Sequence, residues 1–315
     1  MVRGLGQRRV RPLLLLAITA LLGSAFAGGR APRLARGPEQ HAGQFPSQPA
    51  VDIVSQCIDR ELDLLNNPPK YMFVMRRKTA HILETKLMVQ TNEAVAGRVL
   101  SYNDEPMTEE GRKSEDARVE RFIKDPDELR KKQREERDNR ERFARVLRAM
   151  PKALLYEYDG FEPAAAGVGH KGEDLVRVKF RPNPDYGPPT RVEQLLTGMG
   201  GMLLLDPQRL RLARLDATLQ DDVAFGWGIL GHLDKGGHIL IEQGSLPDGN
   251  WVLSHFTMRF TGKVLVFKNI DVNTTETSWD FRRVPDDLGF AQGLELLKKE
   301  EPELAKAATG DHGFE

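Results

Sequence analysis

After Pro151 the chain consists, almost to its end, of short runs of β-forming residues broken by turn-forming ones, and this pattern constrains the fold more than any other feature. Strands are expected at 154–161, 174–181, 202–205, 210–219, 222–230, 238–243, 251–260, 264–272 and 277–283, with one short helix at 191–196. Pro247-Asp248-Gly249-Asn250 and Thr261-Gly262-Lys263 read as hairpin connections, with glycine where positive φ is needed. Connections this short join antiparallel neighbours, because a parallel crossover needs roughly a dozen residues or more. Earlier β-rich runs at 71–77, 81–91 and 98–102 extend the pattern. The expected class is α+β: a mainly antiparallel sheet with helices confined to the start and to insertions.

Ahead of the first strand, Val51, Val54, Ile58, Leu62 and Leu65 recur at helical spacing and predict an amphipathic helix that stops before Asn67-Pro68-Pro69. A second helical region occupies 108–150, where most residues are charged and the two signs interleave. Asp125-Pro126-Asp127-Glu128 divides it into two helices, with Asp125 as cap and Pro126 in the first helical position. Glu128 with Lys132, Glu136 with Arg140 and Glu141 with Arg145 are spaced for helical ion pairs. Only the far end, with Phe143, Val146, Leu147 and Met150, carries an apolar face, so the middle is expected to project into solvent or to lie over the sheet by its ends alone.

Strand alternation predicts one apolar sheet face. Val252, Phe256, Met258 and Phe260 fall on one side of their strand, and Trp251, His255, Thr257 and Arg259 on the other. Val176, Val178 and Phe180 likewise oppose Arg177, Lys179 and Arg181. Phe73 and Met75 face with Tyr71, and Leu83, Leu87 and Val89 line up on the following strand. An apolar face this wide needs a cover of helices, a second sheet or a ligand.

Catalytic signatures are sparse. Gly167-Val168-Gly169-His170-Lys171-Gly172 has dinucleotide-loop spacing but leads into a strand instead of opening a helix, so it reads as a turn. His238, Glu242 and His255 are the nearest approach to a metal-ligand set, without recognised spacing. No phosphate loop, zinc helix or nucleophile elbow is present, so no enzymatic activity, cofactor or metal is expected. The single cysteine, Cys57, cannot form an intrachain disulfide and is expected in the core.

Residues 1–27 have the form of an export signal: Arg3, Arg8, Arg9 and Arg11, then an apolar run, then Ala25-Phe26-Ala27. The expected organisation is a signal peptide at 1–27, a flexible leader at 28–48, a sheet domain at 49–289 carrying the insert at 108–150, and a polar tail at 290–315. The exported chain is expected to be periplasmic and soluble, without a transmembrane segment. Removal of the signal turns a formally neutral chain mildly acidic, which excludes nucleic acid as an expected partner.

The helix followed by Tyr71-Met72-Phe73-Val74-Met75, the stretch Asn103-Asp104-Glu105-Pro106-Met107-Thr108-Glu109-Glu110 opening the insert, and the run from Gly201 through Phe225 and Gly237 to Trp251 resemble a group of secreted bacterial proteins. Those proteins are similar to the outer-membrane lipoprotein-sorting superfamily, which includes the carrier LolA, the receptor LolB and the stress regulator RseB. The resemblance spans 51–283 and implies a strongly curved open half-barrel with lid helices over an apolar hollow. It makes Phe73, Met75, Leu87, Val252, Phe256, Met258 and Phe260 the expected ligand-binding residues. The implied function is non-enzymatic holding of a lipid, acyl chain or lipidated protein segment, in lipoprotein handling. A protein-interaction or stress-regulatory module, docking an envelope partner through the 108–150 arm, is the alternative, and a secreted hydrolase a third. An open hollow favours the binder, a filled one the interaction module.

Overall fold

Among the described residues 13 strands pair antiparallel in one sheet, mostly as hairpin neighbours, while the strand Tyr71–Thr79 pairs with Lys268–Arg283 from the far end of the chain. The computed structural model describes residues 45–66, 68–225, 231–264 and 268–308. The expected signal peptide, most of the leader and the far half of the strand expected at 222–230 lie outside these residues.

Helix α1 (Ala50–Asn66) precedes β1 (Tyr71–Thr79), β2 (Leu83–Gln90), β3 (Val95–Tyr102) and β4 (Glu105–Pro106). The charged insert forms α2 (Glu109–Lys124) and α3 (Pro126–Ala153). Then come β5 (Leu154–Pro163), β6 (Asp174–Pro182), α4 (Arg191–Gln194) running into a 3-10 turn (Leu195–Thr197), β7 (Met199–Asp206) and β8 (Arg211–Leu219). Strands β9 (Val223–Phe225), β10 (Gly231–Leu233), β11 (His238–Ser245), β12 (Trp251–Val264) and β13 (Lys268–Arg283) lead to α5 (Phe290–Ala308). The strand order is β4-β3-β2-β1-β13-β12-β11-β8-β7-β6-β5, with β9 and β10 beside the far end of β12, and the described strands do not close into a barrel. The α+β antiparallel class expected from the turns is the one observed.

Each face has its own core. The main one joins α1, the end of α3 and the sheet through Ile53, Val54, Cys57, Leu147, Met150, Phe73, Val178, Phe256 and Met258. Burying side chains of this kind contributes about 1.5–3 kcal/mol each. The opposite face is apolar at β1–β3, where Met72, Val74, Leu87 and Val89 pack against Phe290, Leu294 and Leu297 of α5 and Val119 of α2, and again in a smaller cluster of Val168, Leu175, Leu204, Ala213 and Trp251. Farther along, that face carries ion pairs such as Arg177 with Asp159 and Arg214 with Glu162 and Glu242.

Several expectations are corrected. The segment expected as a polar tail contains α5, because Phe290, Leu294 and Leu297 form a helical stripe that the outer face of β1–β3 buries. Phe45, expected in the flexible leader, stacks on Tyr158 and Phe161 at 5.0 and 4.9 Å. Thr261-Gly262-Lys263 is not a turn: β12 runs through it, and the strands expected at 264–272 and 277–283 are largely one, β13. Glycine is needed at 262 because a Cβ there would lie 2.2 Å from the carbonyl oxygen of His232 on β10.

The insert is docked, not projecting. Its charged side chains satisfy the open edge of β3, which β4 covers only at Ser101 and Tyr102. Glu136 accepts from the Val95 N–H at 3.3 Å, Arg118 donates to the Gly97 carbonyl at 2.7 Å, and Glu115 accepts from the Val99 N–H at 2.9 Å. Arg98, almost fully buried, ties Asp116 of α2 to Glu301 of α5 at 2.7 and 2.5 Å. The expected helix pairs are replaced accordingly: Lys132 pairs with Glu136 at 2.9 Å, and Arg140 has no ion pair among the described residues.

Candidate ligand cavity

On the α1 side of the sheet a cavity of about 300 Å³ separates the helices from the strands. Its floor is formed by Leu212, Leu215 and Ala217 of β8, Ile239 and Ile241 of β11 and Leu253 of β12. Over it lie Leu64 and Leu65 of α1, Phe143, Val146, Leu147 and Met150 of α3, and Leu195 and Leu196 of the 3-10 turn. The helical stripes read from the sequence thus bury one flank in the core and turn the other to the cavity.

A buried polar cluster closes one end. Arg211 Nε donates to Glu61 Oε1 at 2.8 Å, with both side chains nearly excluded from solvent. Gln243 accepts from Arg211 at 3.2 Å and donates to the Leu212 carbonyl at 3.0 Å, while Glu61 also accepts from the Leu212 N–H at 3.2 Å. The Arg211 guanidinium lies 5.0 Å from the Trp251 ring centre, a cation–π contact. Among the described residues Trp251 Nε1 is buried without a hydrogen-bond partner. Arg60, Glu136, Arg140 and Asn250 complete the wall.

Cys57 belongs to the neighbouring core, where burial first and Glu61 second push its thiol up to about 12. A thiol held protonated at neutral pH is a poor nucleophile. Elsewhere His238 pairs with Asp216 at 2.9 Å, and His255 contacts Thr257 and Thr277 at 3.1 and 3.2 Å. Glu242 is taken by Arg214. The dinucleotide-like glycines sit in a turn, where Gly167 accepts from Ser254 Oγ at 2.6 Å.

None of the residues expected to bind ligand lines this cavity. Phe256, Met258 and Phe260 are 0 %, 0 % and 2 % exposed, in a part of the face that is filled. Phe73 and Met75 lie in the same packed region, where Phe73 stacks on Phe281 at 4.8 Å. Leu87 is on the other face altogether: it stands opposite Val74, not Phe73, and packs in the α5 core. Val252 is buried off the cavity because a β-bulge at Ser254 shifts the alternation, bringing Leu253 to the lining in its place.

A signal for the missed residues was present in the sequence. Gln243 continues the alternation of Ile239 and Ile241, and Glu61 continues the helical stripe of Val54 and Ile58, so each is a polar residue in an apolar register. Polar groups so placed need buried partners, and these two find each other through Arg211. Among the described residues no helix is long and apolar enough to cross a membrane. Comparison with protein-family models, with curated proteins and with solved structures finds no match to this chain.

Proposed function

We propose that this chain is a periplasmic, non-enzymatic binding protein that holds an acyl chain, a lipid or a lipidated protein segment between the sheet and helices α1 and α3. The observation that carries the reading is the apolar cavity itself: about 300 Å³ of unfilled space walled by Leu215, Ile239, Ile241, Leu253, Phe143 and Met150. Protein interiors are ordinarily close-packed, so space of this size and lining is what a removable apolar occupant requires. On this reading the sheet is the open half-barrel of the lipoprotein-sorting superfamily with α1 as a lid, as the resemblance implies, and α3, from the insert, serves as a further part of that lid. The protonated Cys57 and the engaged histidines favour binding over catalysis.

The interaction-module alternative receives less support, because much of the insert's polar chemistry is engaged with β3 instead of being offered to a partner. Titration with a fluorescent long-chain fatty acid, followed by displacement with unlabelled acyl chains, tests the proposal. Saturable one-to-one binding is expected. Failure of every acyl probe to bind would return the function to the interaction module.

A further inference from the structure

Beyond the apolar body, the charges at the cavity wall are unequally matched. Both wall carboxylates are engaged: Glu61 by Arg211 at 2.8 Å, and Glu136 by Lys132 at 2.9 Å and the Val95 N–H at 3.3 Å. Arg60 on α1 and Arg140 on α3 also line the cavity, both exposed, and among the described residues neither makes an ion pair or a side-chain hydrogen bond. Helical spacing offers Glu136 to Arg140, but Glu136 is turned to the β3 edge and leaves that guanidinium unpaired. The two helices that carry these arginines pack against each other. Two cationic residues without an ion pair among the described residues thus line one cavity from neighbouring helices, each at a solvent-exposed position.

From this juxtaposition we infer that the ligand is a single-chain amphiphile with an anionic head, its chain in the apolar body and its carboxylate or phosphate held by Arg60 and Arg140. The inference rests on the binding function proposed above. A guanidinium offers paired N–H donors that match carboxylate and phosphate oxygens, and such charge-assisted bonds are stronger than neutral ones. The size of the space agrees with one chain. About 300 Å³ is at the lower end of the roughly 300–1,000 Å³ usual for small-molecule sites, which suits one chain better than two or three.

The test is displacement of a fluorescent fatty acid by ligands sharing a dodecyl chain and differing in head: dodecanoate, dodecyl phosphate, dodecanol and dodecyltrimethylammonium, each below its micelle concentration. For the wild-type chain the better of the two anions should bind about tenfold more tightly than dodecanol, with the ammonium weakest. Comparing dodecanoate with dodecyl phosphate identifies which anionic head is preferred. The Arg60→Gln, Arg140→Gln double variant should bring the anions to within about twofold of dodecanol while leaving dodecanol itself unchanged. Thermal unfolding of the variant should match wild type, since both positions are exposed. Equal binding of all four heads, or an anion preference that survives in the double variant, overturns the inference and leaves the proposed binding function standing. Binding of none of them overturns both.

Discussion

The Glu115 carboxylate accepts a hydrogen bond from the backbone N–H of Val99 at 2.9 Å, so that a side chain of α2 supplies what a neighbouring strand would otherwise give to the edge of the sheet. Arg118 completes the contact by binding both Glu115 and the Gly97 carbonyl. An uncovered edge is a template for pairing with another chain, and the insert blocks it with charge.

Glu115→Ala is therefore expected to cost about 1–3 kcal/mol, the range for leaving a buried donor unpaired, and to promote self-association. Calorimetry and light scattering measure the two effects. Burial raises the Glu115 carboxyl, but the bonds from Arg118 and Val99 outweigh it and hold the group below its ordinary value. Its contribution is thus complete above the unfolded-state value and lost as pH falls through the lower folded one. An alanine variant as stable and monomeric as wild type at neutral pH would remove the edge-capping role.

Replacing 106–142 by a Gly/Ser linker should lower the melting temperature as much as a core truncation does. Val119 is 6 % exposed within the α5 core, and Phe122 lies 6.1 Å from Phe290, so deletion opens apolar surface as well as the β3 edge. A melting temperature within a few degrees of wild type would show that the insert is dispensable.

Leu215→Glu and Met258→Glu should behave differently. Leu215 lines the cavity, where a carboxylate keeps some access to water, so the variant should fold and lose affinity for acyl probes. Met258 is fully buried in the filled part of the face, where the same charge carries the full desolvation cost of several kcal/mol, and that variant should lose cooperative unfolding. Binding titrations paired with urea denaturation separate them. Undiminished acyl binding by a folded Leu215→Glu protein would place the ligand elsewhere.

Breaking the polar end of the cavity should be costly. Glu61→Ala strands the Arg211 guanidinium and the Leu212 N–H together, for a loss on the order of 3 kcal/mol by analogy with broken buried pairs. Glu61→Gln, which keeps an acceptor, should lose less. Equal losses in the two variants would mean that the charge alone matters.

Glu276 should make the protein less stable as pH rises. It stands opposite Phe256 and Arg77 at 4 % exposure, and burial pushes its carboxyl up to about 7 against the pull of Arg77 and Lys86. The folded state then binds the proton more tightly than the unfolded chain, so stability falls between the ordinary carboxylate value and about 7 and stays lowered above. The stability of Glu276→Gln relative to wild type should accordingly improve by on the order of 3 kcal/mol between about pH 4 and pH 8. Parallel denaturation midpoints for the two proteins at both pH values would refute this.

The fold class, most strands, the dividing cap at Asp125 and the apolar stripes of α1 and α3 are legible in the sequence, because short turns, caps and periodicity are local. The Asp125 side chain accepts from the Asp127 N–H at 2.9 Å, as its place before Pro126 predicts. Which apolar residues are filled core and which are cavity wall follows from long-range packing alone. Phe256 and Leu253 have the same chemistry, and a single bulge at Ser254 together with the placement of α3 separates their roles. Leu87 shows the same limit: alternation assigns it a face on its own strand, but only the register of β2 on β1 says which face that is. The charges of the insert matched one another on paper at helical spacing. Glu115, Arg118 and Glu136 keep partners on their own helices and also reach the backbone of β3, because N–H and carbonyl groups at a sheet edge left without a strand need partners.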